Sequence, residues 1–175
     1  MSDSGNLLRL NVGFIVHQTV GYYRDFPFNV PAMRLSPDLD LENLIGAIRV
    51  TRTAQGLLVQ TRMQAQTATE CVRCLSDFVQ ALEIDSTELY AFTINSVTDS
   101  GLLVPESGKL DLTPLIREEM LLAMPIKPIC KPSCKGLCPV CGENLNEMVC
   151  DHGHEDEVPQ LSALKSLLDK NNPTF

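Results

Sequence analysis

Seven cysteines and His152 fall in an order that could supply two sets of four metal ligands. Cys71-Val-Arg-Cys74 comes first, and Cys130 and Cys134 follow after a long gap. Cys138-Pro-Val-Cys141-Gly142 opens the densest stretch, and Cys150-Asp-His152 ends it. Zinc takes thiolate and imidazole ligands tetrahedrally, and a closed structural site uses four of them. A Cys-x-x-Cys-Gly turn converges two sulfurs on one ion, and the glycine keeps the following backbone uncrowded. Cys150 and His152 are two apart, so an extended segment places both on one face. Cys138, Cys141, Cys150 and His152 thus make a complete local site.

The remainder is Cys71, Cys74, Cys130 and Cys134. One reading joins them into a second site between a hairpin turn and the tail. The rival reading draws Cys130 or Cys134 into the local cluster and leaves Cys71 and Cys74 as a free dithiol. A buried cysteine often behaves as a small hydrophobe, but six potential ligands in 23 residues exceed that explanation. A redox dithiol would sit at the start of a helix in a βαβ setting, whereas Cys71 and Cys74 lie between expected strands. Iron–sulfur clusters also accept thiolates; the histidine and the Cys-Pro-x-Cys-Gly turn favour zinc.

The elements that position these groups read as mainly β. Leu8, Leu10, Val12, Phe14 and Val16 alternate, which predicts a strand over 7–16. Residues 22–30 predict a second strand ending at Pro31, and residues 31–43 a loop. Strands at 44–53 and 57–69, with Gln55-Gly56 as their turn, and a return over 78–92 predict a meander. Phe78, Leu82, Ile84 and Leu89 are the expected inward positions of that return, and a helix is the rival over 82–91. Residues 95–110 read as a polar loop. Thr113 as N-cap, Pro114 at the first position and Pro125 at the end predict a helix over 113–124. Leu161, Leu164, Leu167 and Leu168 share one face of a second expected helix, 160–170.

Net charge is −8 over 175 residues. That argues against a general nucleic-acid binder, whose affinity rests on phosphate contacts. The charge is uneven, however. Arg49, Arg52, Arg62 and Arg73 cluster with one acid, Glu70, and Lys127, Lys131 and Lys135 surround the cysteines with none between them. These seven are the candidate RNA contacts. No Ser/His/Asp order, phosphate-binding glycine loop or carboxylate dyad is evident. Glu118 and Glu119 are helix neighbours that do not share a face, so no catalytic residue is assigned. The first residues lack the basic and cleavage signals of a signal peptide, and no window has the roughly 20 apolar residues of a membrane helix. A cytoplasmic protein with reduced thiols is expected.

Gly56-Leu-Leu-Val, Cys71-Val-Arg-Cys74-Leu75, the run from Glu118 to Pro125 and the run from Cys134 to Asn146 stand in order. Together they resemble the YceD family, the large ribosomal RNA subunit accumulation proteins, over nearly the whole chain. The resemblance implies a role in accumulation of large-subunit ribosomal RNA and in ribosome assembly, with no enzyme activity. Family clusters often end in Cys-x-Cys, whereas this chain has Cys150-Asp-His152; histidine can replace cysteine as a zinc ligand.

The expected architecture is α+β and mainly β. An antiparallel meander or small barrel-like sheet carries a packed helix, a zinc-knuckle-type loop and a C-terminal helix. Residues 1–125 form the β domain with one helix, and 126–175 form the metal-binding segment and terminal helix, packed on the same domain. The expected function is a non-enzymatic accessory factor stabilised by structural zinc, with large-subunit ribosomal RNA or a pre-ribosomal particle as partner. Alternatives are a zinc-stabilised module holding a basic ribosomal protein, and a thiol redox factor.

Overall fold

In the computed structural model the described residues are 7–35, 37–98 and 100–152. The architecture is mainly β, as expected. Strand β1 (Arg9–Asn11) and a short helix α1 (Gly13–Val16) come first. Four long strands follow: β2 (Tyr23–Leu35), β3 (Leu39–Arg52), β4 (Gly56–Glu70) and β5 (Asp77–Ala91). Strand β6 (Lys109–Asp111) and helix α2 (Thr113–Ala123) come last among the described elements. The long strands pair antiparallel in the order β2-β3-β4-β5, a meander, and β1 pairs with β6 in a separate two-stranded sheet. The four-stranded sheet is open, so the barrel-like alternative does not hold.

Alternation decides which face of the sheet is buried. Leu57, Val59, Thr61, Met63, Ala65 and Thr67 of β4 point inward, while Gln60, Arg62, Gln64 and Gln66 face solvent. In β5, Leu82, Ile84 and Tyr90 are buried. Leu89 has the opposite parity and lies on the other face, contrary to the sequence expectation; Tyr90 takes the inward place. The helical alternative over 82–91 fails because β5 pairs with β4 along its whole length.

Two other expectations need correction. Residues 31–43 are not a loop: β2 runs on to Leu35 and β3 starts at Leu39. Pro31 is tolerated because β2 is an edge strand and needs no ladder hydrogen bond there. The buried side of β3 changes parity from Leu39 and Leu41 to Leu44, Ile48 and Val50. The register with β4 slips between Glu42 and Ile45, and Asn43 adopts φ 51°. Asparagine accepts that left-handed conformation more readily than most residues, and its amide bonds Gln66 Oε1 at 3.0 Å. The strand expected over 7–16 is cut to three residues by α1.

Leu8, Leu10, Val12 and Ile15 join Leu110, Leu112, Ile116 and Met120 over the inner face of the sheet in one core. Helix α2 packs on β5. It begins at Thr113 with Leu112 as N-cap, one residue earlier than expected, and Asp111 Oδ1 accepts from the Thr113 N–H at 3.0 Å. The helix expected over 160–170 lies outside the described residues.

Candidate metal centres

The inner centre forms where the β4–β5 hairpin meets the tail. Between Glu70 and Asp77 the chain turns tightly, with Cys71 N–H donating to Ser76 O at 3.0 Å and Leu75 N–H to Cys71 O at 2.9 Å. Leu75 carries φ 55° there. The second Cys-x-x-Cys turn repeats this closure: Gly142 N–H donates to Cys138 O at 2.9 Å, and Gly142 has φ 76°. Two turns of the same geometry therefore present their sulfurs alike, one with leucine and one with glycine at the left-handed position.

The tail is stitched to the hairpin tip by backbone and side chain. Val72 N–H donates to Pro128 O at 3.0 Å and Leu137 N–H to Arg73 O at 3.1 Å. Asn144 Nδ2 donates to Ser76 Oγ at 3.2 Å. These ties bring Cys130 and Cys134 to Cys71 and Cys74, in a buried group that also contacts Phe78. Cys71 Sγ lies 3.9 Å from Cys134 Sγ, and Cys74 Sγ lies 3.7 Å from Cys130 Sγ. Disulfide sulfurs stand about 2.05 Å apart, and all seven cysteines are free. Zinc–sulfur bonds of about 2.3 Å at tetrahedral angles separate sulfurs by about 3.8 Å. The four sulfurs fit one ion of that kind.

The outer centre is Cys138, Cys141, Cys150 and His152, with Cys138 Sγ 3.9 Å from His152 Nδ1. In each set the ligand atoms lie within 4.8 Å of one another, so each could hold a metal ion. The structure thus groups Cys130 and Cys134 with the hairpin pair rather than with the local cluster. The two centres differ in access. Three inner ligands, Cys71, Cys74 and Cys134, are buried and Cys130 is half-buried, whereas in the outer centre Cys138 is buried, Cys150 is half-buried, and Cys141 and His152 are exposed.

Crowded thiols in the inner centre are unequal acids. Burial raises the Cys71 thiol, but backbone N–H groups of Cys130, Cys74 and Arg73 bring it down to about 6. Burial and the neighbouring sulfurs of Cys74, Cys71 and Cys134 push Cys130 up to about 12. In the outer centre, the Cys141 and Val140 N–H groups lower Cys138 to about 6 against its burial. Negative charge on one sulfur makes its neighbours harder to ionise.

The seven candidate cations divide into three places. Arg73, Lys127, Lys131 and Lys135 are exposed around the inner centre, and none has an acidic partner among the described residues. Arg73 also donates to Cys134 O at 2.8 Å. Arg49 and Arg62 lie on the outer sheet face, each paired with an acid: Arg49 with Asp25 at 2.7 Å, Arg62 with Asp85 at 3.0 Å. Arg52 sits at the far end of β3, bonded to Val16 O at 3.0 Å and stacked 4.3 Å over the Phe92 ring. Sequence reasoning missed Asn144 and Asn146, whose amides tie the outer loop to the inner centre; only the Asn-x-Asn spacing after Cys141-Gly142 hints at them.

Fold and site together define a class: an open antiparallel sheet whose hairpin tip meets its tail in a four-cysteine cluster, with a second cysteine and histidine cluster inside the tail. A family model described as "Large ribosomal RNA subunit accumulation protein YceD" matches residues 59–168, and the chain belongs to that family. An uncharacterized protein of Mycobacterium tuberculosis is 32% identical over 93% of this chain and 77% of its own length. YlbN of Bacillus subtilis is 30% identical over 58% of this chain and 60% of its own. The chloroplastic large ribosomal RNA subunit accumulation protein YCED homolog 1 of Arabidopsis thaliana is 42% identical over 36% of this chain and 20% of its own. No solved structure matches the chain. Among the described residues, no helix is long and apolar enough to cross a membrane.

Proposed function

We propose that this chain is a non-enzymatic factor in the accumulation of large-subunit ribosomal RNA, with two structural zinc ions holding its tail and a basic face around the inner centre meeting RNA phosphates. The family supports the ribosomal RNA role. Four ligands in each centre, with none left over as an open position, support structural rather than catalytic metal. Reduced metal-binding thiols suit a cytoplasmic setting.

The observation that carries the RNA face is the contrast in ion pairing. Arg49 and Arg62 are neutralised by Asp25 and Asp85. Arg73, Lys127, Lys131 and Lys135 have no acid partner among the described residues and lie on the segments that the inner centre joins. In a chain of net charge −8, cations without an acid partner are the ones left to meet an RNA backbone. The test is the salt dependence of binding to a large-subunit ribosomal RNA fragment. Replacing Lys127, Lys131 and Lys135 by Glu, which leaves the Arg73–Cys134 bond in place, should weaken binding and reduce the log–log salt slope by about 2, whereas Arg49→Glu with Arg62→Glu should change it little. An unchanged slope in the threefold variant refutes the RNA face.

The acidic balance favours a second reading, in which the module holds a basic ribosomal protein. Recovery of that protein on the full chain after nuclease treatment would support it, and loss of all recovery would support RNA.

A further inference from the structure

We infer that Asn146 is a positioning residue that couples the two metal centres: from within the loop closed by the outer centre, its side-chain amide donates to a sulfur of the inner one. This rests on the metal reading above. Asn146 lies between the outer ligands Cys141 and Cys150, yet its Nδ2 is 3.4 Å from Cys134 Sγ. Its Oδ1 accepts from the Lys135 N–H at 3.0 Å. That backbone donor needs an oxygen, so the amide is oriented with its nitrogen towards the sulfur.

Asn144 holds Asn146 in place. Asn144 Oδ1 accepts from the Asn146 backbone N–H at 3.0 Å and from its Nδ2 at 2.8 Å, while Asn144 Nδ2 reaches Ser76 at the hairpin tip. The backbone completes the contact through Leu145 N–H to Gly136 O at 2.9 Å and Cys138 N–H to Glu143 O at 2.8 Å. Every one of these groups lies in, or against, the loop that Cys138, Cys141, Cys150 and His152 close. An ion there keeps the loop shut and the amide on Cys134. An N–H donated to a ligating thiolate holds that sulfur, and the segment that carries it, in the ligating geometry. Occupancy of the exposed centre therefore strengthens the buried one, and the coupling is reciprocal.

The experiment follows zinc release from the loaded full chain into excess chelator. Wild type should bind two ions and release them in a fast and a slow phase, since Cys141 and His152 are exposed and Cys134 is buried. Asn146→Asp keeps the acceptor for Lys135 but offers oxygen to the sulfur. It should speed the slow phase by about tenfold or more, with an unchanged sheet signal in circular dichroism. Cys141→Ser, which opens the outer centre, should have a similar effect, and the double variant should be little faster than either alone. Asn144→Ala should act in the same direction. With the protein cadmium-loaded, the resonance of the four-sulfur centre should shift in Asn146→Asp. Two bound ions with an unchanged slow phase in Asn146→Asp and Asn144→Ala would overturn the coupling alone, as would independent, multiplying effects of Asn146→Asp and Cys141→Ser. Fewer than two ions in wild type would overturn the zinc reading first and the coupling with it.

Discussion

The guanidinium of Arg73 donates to the backbone carbonyl of Cys134 at 2.8 Å, joining residues 61 positions apart. Arg73 O in turn accepts from the Leu137 N–H at 3.1 Å. One residue inside a Cys-x-x-Cys turn thus fastens the far ligand segment by both its side chain and its main chain. Arg73→Ala removes a charged donor and is expected to cost about 1–3 kcal/mol. Arg73→Lys should restore only part of this, since a flexible ammonium lacks the fixed fork. Urea unfolding of the two variants beside wild type measures both effects.

Gly136 is required for the same junction. It adopts φ 79°, and an added Cβ would stand 3.1 Å from Arg73 O. Gly136→Ala meets both the left-handed strain and the close approach, for a loss of about 1–3 kcal/mol. Gly101 has a similar φ of 70° with nothing near its Cβ position. Gly101→Ala should cost less, and a greater loss at Gly101 than at Gly136 would refute the junction argument.

Metal removal should act locally. The sheet has its own apolar core, made of residues other than the ligands, whereas the segment 126–152 contains little buried apolar surface. Chelation, or Cys138→Ser with Cys141→Ser, should raise hydrogen exchange and protease cleavage across 130–152 while protection in β3 and β4 persists. Metal binding supplies the folding free energy of such loops. Equal protection across 130–152 before and after chelation would contradict this.

Asp38 and Arg117 connect the β2–β3 turn to α2 at 2.6 Å. The Arg117 hydrogen bond holds the Asp38 carboxyl below its ordinary value. The folded chain therefore releases this proton more readily than the unfolded chain. Its contribution to stability is complete above the unfolded value of about 4 and is lost as pH falls through the lowered folded value. Asp38→Asn should destabilise at neutral pH, and the difference from wild type should vanish at strongly acidic pH. Denaturant titrations down the pH scale provide the check; a difference that persists after Asp38 is protonated would sink the assignment.

The core strands were legible because their apolar residues alternate without interruption, as at Leu57, Val59 and Met63 of β4. Both cysteine sets were legible as pairs with metal-ligand spacing, though spacing alone left Cys130 and Cys134 open between two centres. Other features depend on tertiary context. Leu39 and Leu41 fall out of phase with Leu44 and Ile48 because the chain kinks at Asn43, so one strand read as a loop and a strand. Charge in a sequence also carries no partner: Arg49 and Arg62 looked equivalent to Lys131 until β2 and β5 placed Asp25 and Asp85 beside them.

The two centres enclose very different lengths of chain. Cys138 and His152 are 14 residues apart, whereas Cys71 and Cys134 are 63 apart. Closing the longer loop costs about 1 kcal/mol more in chain entropy, and the hairpin must first bring its tip to the tail. The short loop needs nothing beyond its own residues to bring its ligands together, while the long one needs β4 and β5 in register. The two proposed metal sites therefore depend on different things: the outer one on a local turn alone, the inner one on a correctly paired sheet.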